Sequence, residues 1–133
     1  MQWDASEVSG FTSGDPWLPL SSDHALVNVE RQRADLSSML SLYRTLIALR
    51  RREPALSIGV HVKAEAIGPV LTYRRFHAGR WITVALNFGA EPQSLPKNGA
   101  AHEVLISTHL DRAETVHGDV RLRANEGIVM AAA

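Results

Sequence analysis

A change of hydrophobic period at Glu53–Pro54 constrains the fold of this 133-residue chain more than any other feature. Before it, Asp35 to Glu53 reads as one amphipathic helix. Leu36, Met39, Leu40, Tyr43, Leu46 and Ile47 fall on one face of a 3.6-residue period, and Leu42 and Leu49 widen that face. Asp35 is the expected N-cap, with Leu36 as the first apolar residue. Arg50, Arg51 and Arg52 complement the macrodipole in the last turn, and Pro54 forbids continuation.

After Pro54 the period becomes two. Val60, Val62, Ala64 and Ala66 alternate with His61, Lys63 and Glu65. Val70–Phe76 and Trp81–Phe88 flank His77-Ala78-Gly79-Arg80, a loop suited to a hairpin. Val104-Leu105-Ile106, Val120 with Leu122, and Ile128-Val129-Met130 complete a set of short strands. Turn residues stand between these runs at Gly89, Pro92, Pro96, Asn98-Gly99, Gly118 and Asn125-Gly127. Such spacing predicts an antiparallel sandwich. The fold class is therefore mainly β: an irregular N-terminal loop and one long helix, then an antiparallel β-sandwich, with a boundary that separates residues 1–53 from 54–133.

Residues 1–34 show no sustained periodicity, and compact domains rarely hold structureless loops beyond ~15 residues. Trp3, Phe11, Trp17, Leu18, Leu20, Leu26 and Val27 make the segment too apolar for a solvated tail. It is built to lie on a surface larger than one helix and a small β-unit. Its charge is uneven. Residues 1–30 carry Asp4, Glu7, Asp15, Asp23 and Glu30 without Lys or Arg, whereas residues 31–52 carry six Arg against Asp35 alone. Packing of one segment on the other through opposite charge is expected.

The ordered motifs of residues 1–59 resemble the α-glucosidase branch of the α-amylase family. They run Met1-Gln2-Trp3-Asp4, Ser9-Gly10-Phe11-Thr12, Pro16-Trp17-Leu18-Pro19, Asn28-Val29-Glu30, Leu40-x-x-Tyr43-Arg44-x-Leu46-Ile47-x-Leu49-Arg50, then Pro54-Ala55-Leu56 with Gly59. Ala85-Leu86-Asn87-Phe88 resembles a strand of that family's C-terminal β-domain. The resemblance implies that residues 1–34 are the loop after the eighth strand of a (β/α)8 barrel, residues 35–53 its eighth helix, and residues 54–133 the β-domain. It also implies that the aspartate nucleophile, the glutamate acid/base and the second aspartate lie on barrel strands absent from this stretch. The chain is thus expected to be a C-terminal fragment without catalytic residues, with Met1 an internal methionine taken as a start. Gln2, Trp3 and Asp4 match the loop bordering the sugar cleft. In an intact parent they are the candidate substrate-binding residues, an indole face meeting sugar C–H groups and the amide and carboxylate holding hydroxyls.

Other candidate chemistry is weak. Asp111, Glu114 and Asp119 sit in a turn-rich connection and read as solvated charge. His102, His109 and His117 are too widely spaced for a metal motif, and the chain has no Cys. Ser9 to Asp15 lacks the Lys-Ser/Thr of a phosphate loop, and no G-x-S-x-G occurs. Arg50–Arg52 in a chain of zero formal charge fit dipole complement better than nucleic-acid binding. No metal, cofactor, nucleic-acid or membrane partner is expected. The expected partners are an α-glucoside oligosaccharide in the parent, the missing barrel, and further copies of the chain in isolation, because the helix stripe and Trp anchors lose their cover. The lack of a targeting signal suggests a cytoplasmic location. The competing reading is a stand-alone carbohydrate-binding or protein-interaction module presenting Tyr73, Phe76, Trp81 and Phe88.

Overall fold

The computed structural model describes residues 1–97 and 99–132; Asn98 of the expected Asn98-Gly99 turn lies outside the described residues. The chain forms two compact units, Met1–Thr45 and Leu46–Ala133.

In the first unit a series of turns leads into a short helix, α1 (Val29–Ala34). The amphipathic pattern did not predict α1, because it buries no residue and has no stripe to read. Its signal is the cap. Asn28 is buried, its side-chain oxygen accepts from the Arg31 amide at 3.0 Å, and its Nδ2 donates to the His24 carbonyl at 2.9 Å. The long helix, α2 (Met39–Arg52), begins three residues later than expected, at Met39 rather than Leu36. Asp35 holds a separate turn through the Ser37 amide at 2.8 Å. The helix cap is Ser38, whose hydroxyl oxygen accepts from the Ser41 amide at 3.2 Å. The Gln32 side chain takes the Leu40 amide at 3.0 Å.

The helix stripe divides. Leu42 and Leu49 are buried, while Leu36, Met39, Tyr43 and Ile47 are exposed, Leu36 at 83%. The expected charge packing is absent within the first unit. Among the described residues, Arg31, Arg33 and Arg44 form no ion pair with Asp4, Glu7, Asp15, Asp23 or Glu30. Serine hydroxyls and amides hold Asp4 and Asp23 instead.

Pro54 ends α2 but opens another helix, α3 (Pro54–Ser57), at whose first position a missing amide costs nothing. Strands β1 (Val60–Ile67), β2 (Val70–His77), β3 (Arg80–Asn87), β4 (Gln93–Leu95), β5 (Ala101–Ser107), β6 (Thr115–His117), β7 (Val120–Leu122) and β8 (Gly127–Ala132) follow. Six form an antiparallel sheet ordered β1-β2-β3-β8-β5-β6, and β4 pairs with β7 as a second layer. The core lies between the layers, where Val70, Ala85, Ile128 and Met130 meet Leu95, Val120 and Leu122.

The other face of the large sheet buries Ile82, Val84, Val129 and Ala131, and α3 packs against β2 and β3. There the Arg75 guanidinium donates to the carbonyls of Ala55 and Gly59, both at 2.7 Å, and so satisfies the end of α3. Phe88, expected in a strand, lies just past β3 and is exposed. Strand β1 departs from the pattern expected of it: its alternation predicts one buried face, yet all eight residues are exposed.

Candidate functional site

Gln2, Trp3 and Asp4 are positioned by backbone bonds. The first two free amides of α1 donate to them, Val29 to the Gln2 carbonyl at 3.0 Å and Glu30 to the Trp3 carbonyl at 2.9 Å. The Trp3 amide in turn donates to the Ser9 carbonyl at 2.8 Å. Asp4 closes the loop. Its Oδ1 accepts from the Ser6 amide at 2.9 Å and from the Ser6 hydroxyl, and the Ser6 oxygen accepts from the Gly10 amide at 3.0 Å. The Ser6 hydroxyl, and then its amide, hold the Asp4 carboxyl below its ordinary range, so it is ionised at neutral pH.

Gly10 is required twice over. Its φ is +62°, and a Cβ would lie 2.4 Å from the Asp4 carboxylate. Ser9 beside it also has a positive φ, +56°, and its buried hydroxyl has no partner among the described residues.

The three candidates do not share one environment. Gln2 lines a concavity of about 420 Å³ together with Phe11, Trp17 and Leu18, whereas Trp3 and Asp4 are not among its lining residues. Gln2 also reaches Asp23 at 3.5 Å, at the limit of a hydrogen bond. Trp3 is 45% exposed and Trp17 83% exposed, so both offer free indole face. The concavity presents apolar rings, an amide and the Ser21 hydroxyl but no acid or base. Retaining glycoside hydrolysis needs two carboxylates ~5 Å apart. No carboxylate lines this concavity among the described residues.

The carboxylates of the β-unit are committed elsewhere. Sequence reasoning missed Glu126, the most buried acid of the chain. It accepts from the Ser107 hydroxyl at 2.7 Å, the Arg123 amide at 2.7 Å, the Arg123 guanidinium at 2.7 Å and that of Arg112 at 3.3 Å. Burial pushes the Glu126 carboxyl up, but these donors, Arg123 first, outweigh it and hold the group at about 2. Arg123 also grips Asp111 through two bonds, at 2.6 and 2.7 Å, and lowers that carboxyl to about 2. Asp111 and Glu114 are exposed, as expected, but each is paired, Glu114 with Arg112 at 2.7 Å. Asp119 accepts from the Lys97 amide at 3.3 Å. The one available signal was an acid in a tight turn, Asn125-Glu126-Gly127, directly before an apolar strand.

The aromatic residues of the β-unit do not share one face. The β2–β3 register puts Phe76 opposite Trp81 and Tyr73 opposite Val84, so Tyr73 lies on the other face of the sheet from the Phe76–Trp81 pair. Trp81 packs on Phe76 with centroids 4.6 Å apart and is covered by the Arg74 guanidinium at 4.1 Å. His102 is buried, and its Nδ1 lies 3.1 Å from the Ala100 carbonyl. Among the described residues no three His, Cys, Asp or Glu side chains gather around a metal position, and no helix is long and apolar enough to cross a membrane.

A capped loop bearing exposed indoles and a helix with a half-exposed stripe, followed by a two-layer antiparallel β-unit, define the class: a mainly β fold ending in a β-sandwich. The alpha-amylase catalytic domain matches residues 1–59. The trehalose-6-phosphate hydrolase of Escherichia coli K12 is 39% identical over 94 residues, covering 70% of this chain and 17% of that protein. The oligo-1,6-glucosidase of Parageobacillus thermoglucosidasius is 32% identical, covering 97% and 24% respectively. The trehalulose synthase MutB of Pseudomonas mesoacidophila MX-45 superposes with a TM-score of 0.88 at 32% identity, over 99% of this chain and 24% of that one. The chain belongs to the α-amylase family, in its α-glucosidase-like branch, and spans about a quarter or less of the length of these relatives.

Proposed function

We propose that this chain is the C-terminal part of an α-glucosidase-like retaining glycoside hydrolase that acts on α-glucosidic oligosaccharides, with the catalytic carboxylates on barrel strands outside it. Residues 1–53 are the loop and helix that end the barrel, and residues 54–133 are the β-domain that follows it. The observation that carries this reading is one continuous likeness, at 32% identity, through both loop-helix and β-unit to enzymes about four times as long.

In that parent Gln2, Trp3 and Asp4 border the substrate cleft. Trp3 supplies a flat apolar face for sugar C–H groups, Gln2 supplies the amide, and Asp4 sets the loop through Ser6. The missing barrel is the partner of the exposed stripe Leu36, Met39, Tyr43 and Ile47, and without it the chain self-associates. A cytoplasmic location of the parent belongs to the same reading.

An antibody against the β-unit, used on a denaturing gel of source cells, tests the proposal. A band far above 14.6 kDa is expected, with α-glucosidase activity in the material the same antibody captures under native conditions. A 14.6 kDa band alone, or glycosidic cleavage by the purified 133-residue chain, overturns it.

A further inference from the structure

Strand β1 is an open edge whose sequence is complementary to itself. It is the terminal strand of the six-stranded sheet and pairs only with β2. All eight of its residues are exposed, and among the described residues no further backbone bond reaches it. An edge of this kind presents a row of unsatisfied amides and carbonyls to any strand that approaches.

Register decides which strand fits. Two copies of β1 set antiparallel about a two-fold axis at Ala64 place Lys63 opposite Glu65 of the second copy, and Glu65 opposite its Lys63. Ala64 then meets Ala64, and the bulged Val62 lies outside the regular pairing. Moving the axis to Lys63 or to Glu65 puts like charges opposite each other, and a one-residue slip puts each charge against an apolar side chain. Lys63 and Glu65 already form an ion pair within the strand, so the two-fold register produces a ring of four alternating charges. The bulge between His61 and Lys63 twists the strand upstream of this segment and leaves Lys63–Ile67 in regular pairing with β2.

We propose that β1 is an interface at which a second copy of this chain pairs antiparallel about Ala64, joining two six-stranded sheets into one. The interface is isologous and closes at two copies, as a two-fold contact must. It does not depend on the proposed enzymatic parentage.

Two measurements on the 133-residue chain test it. Sedimentation of the chain across a concentration range is compared with Glu65→Lys and with the double variant Lys63→Glu/Glu65→Lys. The single change sets Lys against Lys twice and is expected to weaken dimerisation by about tenfold, whereas the charge swap restores the pairing and returns the dissociation constant to that of the parent sequence. In a chain without cysteine, Ala64→Cys is expected to form a disulfide-linked dimer on mild oxidation faster than Ala66→Cys, because only residue 64 meets itself. A monomeric parent chain, association indifferent to Glu65→Lys, failure of the double variant to restore it, or equal cross-linking at 64 and 66 overturns the proposal. Association that persists through every charge variant belongs to the helix stripe instead.

Discussion

Glu126 shows how one residue can take charge out of solvent without forming a site. Its carboxylate is enclosed, yet two guanidiniums, a hydroxyl and an amide meet its oxygens. Replacing it by Gln leaves Arg112 and Arg123 without their shared counter-charge, and the expected cost is about 3 kcal/mol, read from the urea midpoint. The pH dependence follows from the depressed carboxyl. Ordinarily near 4.5 and held at about 2 here, Glu126 contributes its full stabilisation above pH 4.5 and loses it as the pH falls from there towards 2. Thermal unfolding should therefore drop steeply through that window, and Glu126→Gln should flatten the drop. A residual slope will remain, because Arg123 also lowers the Asp111 carboxyl. None of this was legible in advance: an acid beside Asn and Gly looks like any surface turn, and its partners Ser107, Arg112 and Arg123 come from three separate segments.

At the scale of elements, legibility followed the strength of local chemistry. The β2–β3 hairpin was readable because Ala78-Gly79 stands between two apolar runs, and the structure closes it with His77 opposite Arg80. Both turn residues have positive φ, +45° at Ala78 and +85° at Gly79. Ala78→Asn is expected to stabilise the chain by about 0.5–1 kcal/mol and Gly79→Ala to cost about 1 kcal/mol, measured as opposite shifts in melting temperature. The helix core of α2 was equally plain, but its start was not. Asp35 and Ser38 are both good caps, and only the Gln32 side chain on the Leu40 amide favours the later one. Strands β4 and β6 escaped notice because Gln93-Ser94-Leu95 and Thr115-Val116-His117 each carry a single apolar residue, whereas β7 carries two. The loop at Gln2–Asp4 was recognisable by its motif, whereas the carbonyls it lends to α1 depend on a helix with no apolar stripe.

For the whole molecule, the two units differ in what holds them. The first has few buried side chains and many exposed apolar ones, among them Trp17, Leu18 and Leu26, each worth ~1.5–3 kcal/mol if fully covered. The second has a two-layer core. Limited proteolysis is expected to cut within residues 1–34 well before residues 60–132, with the fragments assigned by mass. Strand order has a further consequence for synthesis. The last strand, β8, lies between β3 and β5, so among the described residues the two halves of the large sheet are hydrogen-bonded into one through residues 127–132. A nascent chain can close β1–β2–β3 early, but it must leave β3 with an open flank until those six residues clear the ribosome. Premature termination between Ser107 and Gly127 would release a polypeptide in which β3 and β5 each keep an unpaired flank, marked for chaperones or degradation rather than for assembly.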